Sequence, residues 1–160
     1  MRMELHPISY EEKSILQHLM ELYQHDMSEF EEGGDVNEHG LFGYRYIDHY
    51  WTEEGRHAYF LKADGKLAGF ALVRKLEETA GEELHSSIAE FFVMRAYRGR
   101  GIGRFAAHKL FTAFPGRWKV AHLEKNHGAA AFWRSVIEAS ASGEVAYDIH
   151  GGMPTFTFRT

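Results

Sequence analysis

Apolar and polar positions alternate between two periods along this chain, and each change of period marks an element. Met3 to Ile8 reads as a short strand. Ser9 then stands three residues before Glu12, the spacing of a capping box, and Ile15, Leu16, Leu19, Leu22 and Tyr23 recur at helical spacing to about Met27. Leu41 to Trp51 is crowded with Phe42, Tyr44, Tyr46, Tyr50 and Trp51 and predicts a second, short helix. His57–Leu61 and Lys66–Leu76 predict two strands joined by Lys62-Ala63-Asp64-Gly65, whose Asp-Gly is a hairpin signal. A polar loop, Glu77 to Glu83, leads into an apolar strand ending at Met94.

Past that strand the pattern turns helical: Ile102, Phe105, Ala106, Leu110 and Ala113 share one face, and Pro115-Gly116 stops the run. Trp118 to Leu123 predicts a strand, so that strand–helix–strand implies a parallel, right-handed crossover. A helix begins at Asn126, with Ala129, Ala130, Phe132, Trp133, Val136 and Ile137 apolar. Two edge strands are expected near Val145–Ile149 and Thr155–Phe158. An antiparallel meander followed by one crossover predicts a mixed, mostly antiparallel α/β sheet flanked by helices, in one domain spanning 1–160.

Charge divides the chain. The first 90 residues hold 19 acids against 8 Lys plus Arg, yet Phe91 to Leu123 contains no acid and holds Arg95, Arg98, Arg100, Arg104, Lys109, Arg117 and Lys119. With a net charge of −5, one acid-free basic segment suits a bound anion and not a nucleic-acid coat. A solvated basic helix face would account for the charges, but not for Gly99, Gly101 and Gly103 at alternate positions in the same segment. Glycines feeding a helix N-terminus leave amides unpaired at the positive end of the dipole, which is a phosphate site.

Three phosphate loops compete for this stretch. A P-loop needs a Gly-Lys-Ser/Thr that is missing. A dinucleotide fingerprint is met formally by Gly101, Gly103 and Ala106, but it belongs directly after the first strand of a βαβ unit, and here Gly101 comes 8 residues after Val93, late in the chain. The third, R-x-x-G-x-G, is met by Arg98, Gly101 and Gly103 behind the strand Phe91-Phe92-Val93-Met94. This segment resembles the pyrophosphate loop of the GNAT superfamily of acyl-CoA-dependent N-acyltransferases, and especially its diamine acetyltransferases. Asn126-x-x-Ala129-x-x-Phe132-Trp133 resembles the N-x-x-A-x-x-F-Y element that follows the fifth strand in that superfamily.

The resemblance implies a GNAT fold, acetyl-CoA as co-substrate, and direct N-acetylation of a small, cationic primary amine. It implies acyl-CoA contacts from Phe91, Phe92, Val93, Arg98, Gly99, Arg100, Gly101, Ile102, Gly103, Arg104, Asn126 and Phe132. Asn126 equally suits a helix N-cap. The family's acidic tyrosine is replaced by Trp133, whose indole N–H is not a usable acid.

Acyl transfer to an amine needs a base, a stabilised oxyanion and aligned reactants. Glu90, facing opposite to Phe91 and Val93 in an apolar strand, is the candidate base. Where the diamine acetyltransferases carry an acidic pair, its neighbour is Ala89. Amides around Phe92 to Met94 are candidate oxyanion and pantetheine contacts. His122 is an alternative base. The spacing of His122, Glu124 and His127 fits no zinc motif, and the chain has no cysteine, so no metal is expected.

The acidic stretch Asp26, Glu29, Glu31, Glu32, Asp35 and Glu38 is a solvated loop or an acceptor rim. The absence of cysteine fits a cytoplasmic protein. No membrane or nucleic-acid partner is expected; a homodimer is open. The alternative function is a non-catalytic acyl-CoA-binding module.

Overall fold

The computed structural model describes residues 1–77 and 80–160. One seven-stranded sheet runs through it. In chain order it contains β1 (Met3–Pro7), α1 (Lys13–Met27), α2 (His49–Thr52), β2 (Arg56–Ala63), β3 (Lys66–Leu76), β4 (His85–Val93), α3 (Ile102–Ala113), β5 (Arg117–Ala121), α4 (His127–Ser140), β6 (Ala146–His150) and β7 (Met153–Arg159). The strands lie in the order β1-β2-β3-β4-β5-β7-β6. All neighbours are antiparallel except β4 and β5, which are parallel. Residues 78 and 79 of the expected polar loop lie outside the described residues.

Local chemistry accounts for most boundaries. The Ser9 amide donates to Glu12 Oε1 at 3.0 Å, opening a 3-10 turn that leads into α1. Asp64 and Gly65 both take positive φ, 50° and 77°, as a type I′ hairpin turn requires. Asn126 caps α4, its Oδ1 accepting from Ala129 N at 3.0 Å.

The sheet separates two cores. On one face α3 and α4 bury Ile102, Ala106, Ala107, Leu110, Phe111, Trp133, Val136 and Ile137 against Ala71, Val73, Trp118 and Val120. On the other, α1 and the loop after it bury Leu16, Leu19, Met20, Ile47 and Tyr50 against Phe60, Phe70, Leu72 and Phe92. The buried stripe of α3 differs from the predicted one at its far end, where Ala107 and Phe111 are buried and Ala113 is exposed.

Two expected elements change. The aromatic stretch 41–51 is mostly loop and turn, with a single helical turn at His49–Thr52. That loop is held by α1: Glu21 accepts from Phe42 N (2.7 Å) and Gly43 N (2.9 Å), and Gln24 Nε2 donates to Gly43 O (2.6 Å). Its aromatic rings therefore pack as individual side chains and need no amphipathic helix. Of the two C-terminal strands only β6 lies at the edge; β7 inserts between β5 and β6. Its buried Thr155, Phe156 and Phe158 suit that interior place.

A close backbone approach sets the β3–β4 pairing where the site begins. A Cβ on Gly69 would stand 1.9 Å from Phe92 O. We predict that Gly69→Ala costs about 3 kcal/mol or more in urea unfolding, because backbone, unlike a side chain, cannot rotate away; a midpoint like that of the parent chain would contradict this pairing.

Candidate active site

Strands β4 and β5 pair at Ser86–Trp118 and Ser87–Lys119 and then diverge. A register shift opposite Leu72/Val73 sets Leu72 against Glu90 and Val73 against Ile88, so Ala89 is the extra residue of a β-bulge in β4. Beyond it the wedge is filled by aromatic rings of α4. Phe91 lies 5.8 Å from Phe132 and 4.9 Å from Trp133, centroid to centroid.

The divergence leaves backbone groups unpaired. Met94 N donates to Ala68 O at 2.8 Å. Amides alternate in direction along an antiparallel pair, so Phe92 N–H also faces β3, while Phe91 and Val93 N–H face away from it; Phe91 N–H is engaged by the Tyr23 hydroxyl, which leaves that of Val93 at the split. Of the amides expected around Phe92 to Met94, those of Phe92 and Met94 are turned to β3, and that of Val93 faces the split.

A cleft of about 730 Å³ lies along this edge. Its wall brings together Phe91, Phe92, Val93, Arg98, Gly99, Gly101, Ile102, Gly103, Arg104, Asn126 and Phe132. Gly101, at φ 85°, is the N-cap of α3, and Gly99 has φ 74°. The loop conformation demands both glycines. Gly103 differs: its φ is ordinary, and a Cβ there would lie 3.2 Å from the Phe132 ring, which would have to shift by a few tenths of an ångström. The first-turn amides of α3 have no helical acceptor and meet the cleft at the positive end of the dipole. These features fit a pyrophosphate.

The arginines divide among different tasks. Arg98 Nε donates to Val93 O (2.7 Å) and its Nη2 to Asp26 Oδ2 (2.7 Å); Arg95 Nη2 donates to Asp26 Oδ1 (2.6 Å). Arg98 therefore ties the cofactor loop to the end of α1. Arg104 donates to Ser135 Oγ at 2.7 Å. Arg100 does not join the cleft wall; its guanidinium stands over the Tyr97 ring, 5.9 Å from the centroid. Asn126 Oδ1 is used by the α4 cap, so a ligand contact falls to its Nδ2. Asp26 escaped sequence reasoning because its partners are 69 and 72 residues away, and within the acidic stretch it looks like its neighbours.

A second cavity, about 550 Å³, shares Phe91, Asn126, Ala129 and Trp133 with the first. Glu90 lies on its wall with Tyr23, Glu31, Tyr44 and His122. Burial pushes the Glu90 carboxyl up from 4.5 to about 7; a hydrogen bond from Tyr23 opposes this, and Glu31 adds to it. Burial also raises the Tyr23 and Tyr44 phenols, so both stay neutral donors beside Glu90. His122 has both ring nitrogens engaged, Nδ1 with Leu123 O at 2.8 Å and Nε2 with Tyr147 Oη at 2.7 Å. Glu90 is the group of this wall that burial moves toward neutrality. Trp133 is buried between the two cavities. Among the described residues no group of three or more His, Asp or Glu is arranged to hold a metal ion.

The fold recurs in solved structures. An acetyltransferase from Thermus thermophilus superposes with a TM-score of 0.73 at 16% identity, over 100% of this chain and 98% of that one. A PaiA N-acetyltransferase from Thermoplasma acidophilum, solved in complex with coenzyme A, gives 0.62 at 12% identity, with 100% of both chains covered. An aminoglycoside antibiotic 6′-N-acetyltransferase from Acinetobacter baumannii gives 0.65 at 15% identity, over 93% of this chain and 96% of that one. No curated protein matches the sequence. The sequence model of the acetyltransferase (GNAT) family matches residues 16–136, the span that holds the split, the glycine loop and the Asn126 helix; the chain belongs to that family.

Proposed function

We propose that this protein moves the acetyl group of acetyl-CoA directly to the primary amine of a small acceptor. The observation that carries the reading is Glu90, a buried carboxyl raised to about 7 that stands on the wall of the second cavity, one residue from the cofactor cleft at Phe91. A base at that value holds its proton weakly enough to cycle at neutral pH.

The Gly99–Arg104 loop would receive the pyrophosphate on its free amides. The Phe91–Val93 edge, Asn126 and Phe132 would align the pantetheine arm. The acceptor enters through the second cavity as an ammonium, attracted by Glu31 and Glu90. Glu90 takes the proton, the nitrogen attacks the thioester carbonyl carbon, a C–N bond forms and the C–S bond breaks. The Val93 amide meets the developing oxyanion. CoA leaves as a thiolate, with an ordinary pKa of about 8.5; the second proton, shed by the nitrogen as the C–S bond breaks, passes through solvent to this thiolate, which removes the need for a tyrosine in place of Trp133. N-acetyltransferases among the structural neighbours support an amine acceptor. No helix among the described residues is long and apolar enough to cross a membrane, and we place the reaction in the cytoplasm. Buried Trp133 favours one other reading, an acyl-CoA-binding module without turnover.

Four measurements test this. Glu90→Gln should lower kcat about 100-fold or more while sparing acetyl-CoA affinity; an unchanged kcat would remove Glu90 as the base, and no CoA release over an amine panel would favour the binding module. The parent rate should rise with pH through about 7 as Glu90 ionises, and the variant should lose that limb. The same raised pKa predicts a stability effect of opposite sense. A carboxyl at 4.5 unfolded and about 7 folded holds its proton more tightly in the folded state, so stability falls between those values. Glu90→Gln should therefore be more stable than the parent at pH 8, by up to about 3 kcal/mol, and equal to it near pH 4. Finally, Gly101→Val, folded by circular dichroism, should lose at least about tenfold in acetyl-CoA affinity by calorimetry; parent-like affinity would refute the loop as the pyrophosphate site.

A further inference from the structure

A third cavity, about 560 Å³, continues from the second past Glu90, sharing Tyr44, Tyr46, Ala89 and Ala121 with it. Strand register determines its chemistry. Arg56 of β2 stands opposite Arg74 of β3, Arg74 opposite Ser87 of β4, and Ser87 opposite Lys119 of β5. Cross-strand partners project from the same face, so three cations and a hydroxyl form one row across four strands, and all four line the cavity. Among the described lining residues the sole acid is Glu90.

Two like charges directly opposite each other destabilise a sheet. Arg56 is partly offset: Glu53 Oε2 accepts from its Nε at 2.8 Å, and the guanidinium lies over the Tyr46 and Tyr50 rings, 5.7 and 5.4 Å from their centroids. Lys119 Nζ lies 3.9 Å from Glu82. Arg74 has no ion-pair partner among the described residues. The row is thus a positive surface in which aromatic rings and Glu53 brace Arg56, Glu82 stands beside Lys119, and Arg74 lacks an ion-pair partner among the described residues.

We infer that this row is an anion subsite of the acceptor pocket, and that the acceptor carries an oxyanion, a carboxylate or a phosphate, besides its amine. The inference rests on the acetyl-transfer reading and narrows its substrate. Leu72 lies opposite Glu90, and Arg74 is two residues further along β3, about 7 Å. A small molecule spans that distance with its amine at Glu90 and its anion at Arg74. The cationic character expected of the acceptor then belongs to its ammonium end alone. A planar guanidinium suits both oxyanions, and Ser87 adds a hydroxyl donor.

The test uses matched acceptors that differ only in the anion: lysine against cadaverine for the carboxylate, and phosphoethanolamine against ethanolamine for the phosphate. The anionic member of at least one pair should have a kcat/KM about tenfold or more higher, chiefly through KM. Arg74→Gln should bring that pair level, and Arg74→Lys should keep most of the preference. Equal or reversed preferences in both pairs, or a preference that survives Arg74→Gln, would overturn the subsite. If no amine is acetylated, the acetyl-transfer reading fails, and anion binding decides the subsite separately. Protein saturated with CoA, so that the glycine loop is filled, is heated with inorganic phosphate or with succinate. Either anion should raise Tm in the parent and not in Arg74→Gln; identical responses would overturn the inference.

Discussion

Parallel strands β4 and β5 hold together at Ser86–Trp118 and Ser87–Lys119, and everything functional follows from their parting immediately afterwards. Two features keep them apart. The bulge at Ala89 turns β4, and the rings of Phe91, Phe132 and Trp133 pack together beside the split. The result is an internal sheet edge whose amides face a cleft and not a neighbouring strand. An exposed edge of this kind is ordinarily a liability. Here it lies inside the fold, beside an α3 N-terminus with unpaired amides of its own.

Charge is arranged around this split in opposing patches. The cofactor side is acid-free in sequence, yet its arginines are already committed: Asp26 holds Arg95 and Arg98, and Ser135 holds Arg104. Such ties orient the loop and leave backbone amides as the anion ligands. Across the split Glu90 is buried among phenols, which makes its charged form costly and raises its pKa to about 7. Beyond it lies the Arg56–Arg74–Ser87–Lys119 row. One sheet face thus presents a proton acceptor and a cationic surface at neighbouring positions, an arrangement suited to a ligand with charge of both signs.

Much of the architecture was legible in the chain because it is encoded locally. The Asp64-Gly65 turn, the Ser9–Glu12 cap, the Pro115-Gly116 stop and the Asn126 cap each lie within a few residues of the element they bound. The same holds for the glycine loop, where Gly99 and Gly101 follow from backbone conformation. Glu90 was also readable, as a carboxylate out of place in an apolar strand. The stretch 41–51 was misread as a helix because aromatic density reports burial and not backbone period; Glu21 and Gln24 decide its path from another element. The place of β7 inside the sheet was hidden for a similar reason, since alternation says which face is buried but not which strand is the neighbour.

The sequence by itself therefore determined the order of elements, the family and the glycine loop, because periodicity, turn residues and motif spacing are properties of short segments. The tertiary structure decided which groups meet. Gly69 is required by Phe92 O, Gly103 faces the Phe132 ring, Arg98 is held by Asp26 from 72 residues away, and Arg56 is set against Arg74 by a register that shifts at Leu61/Lys62. Each depends on pairing or packing between distant segments, and because side chains alternate across a strand, a slip of one residue in any of the four strands would send its member of the cationic row to the opposite face.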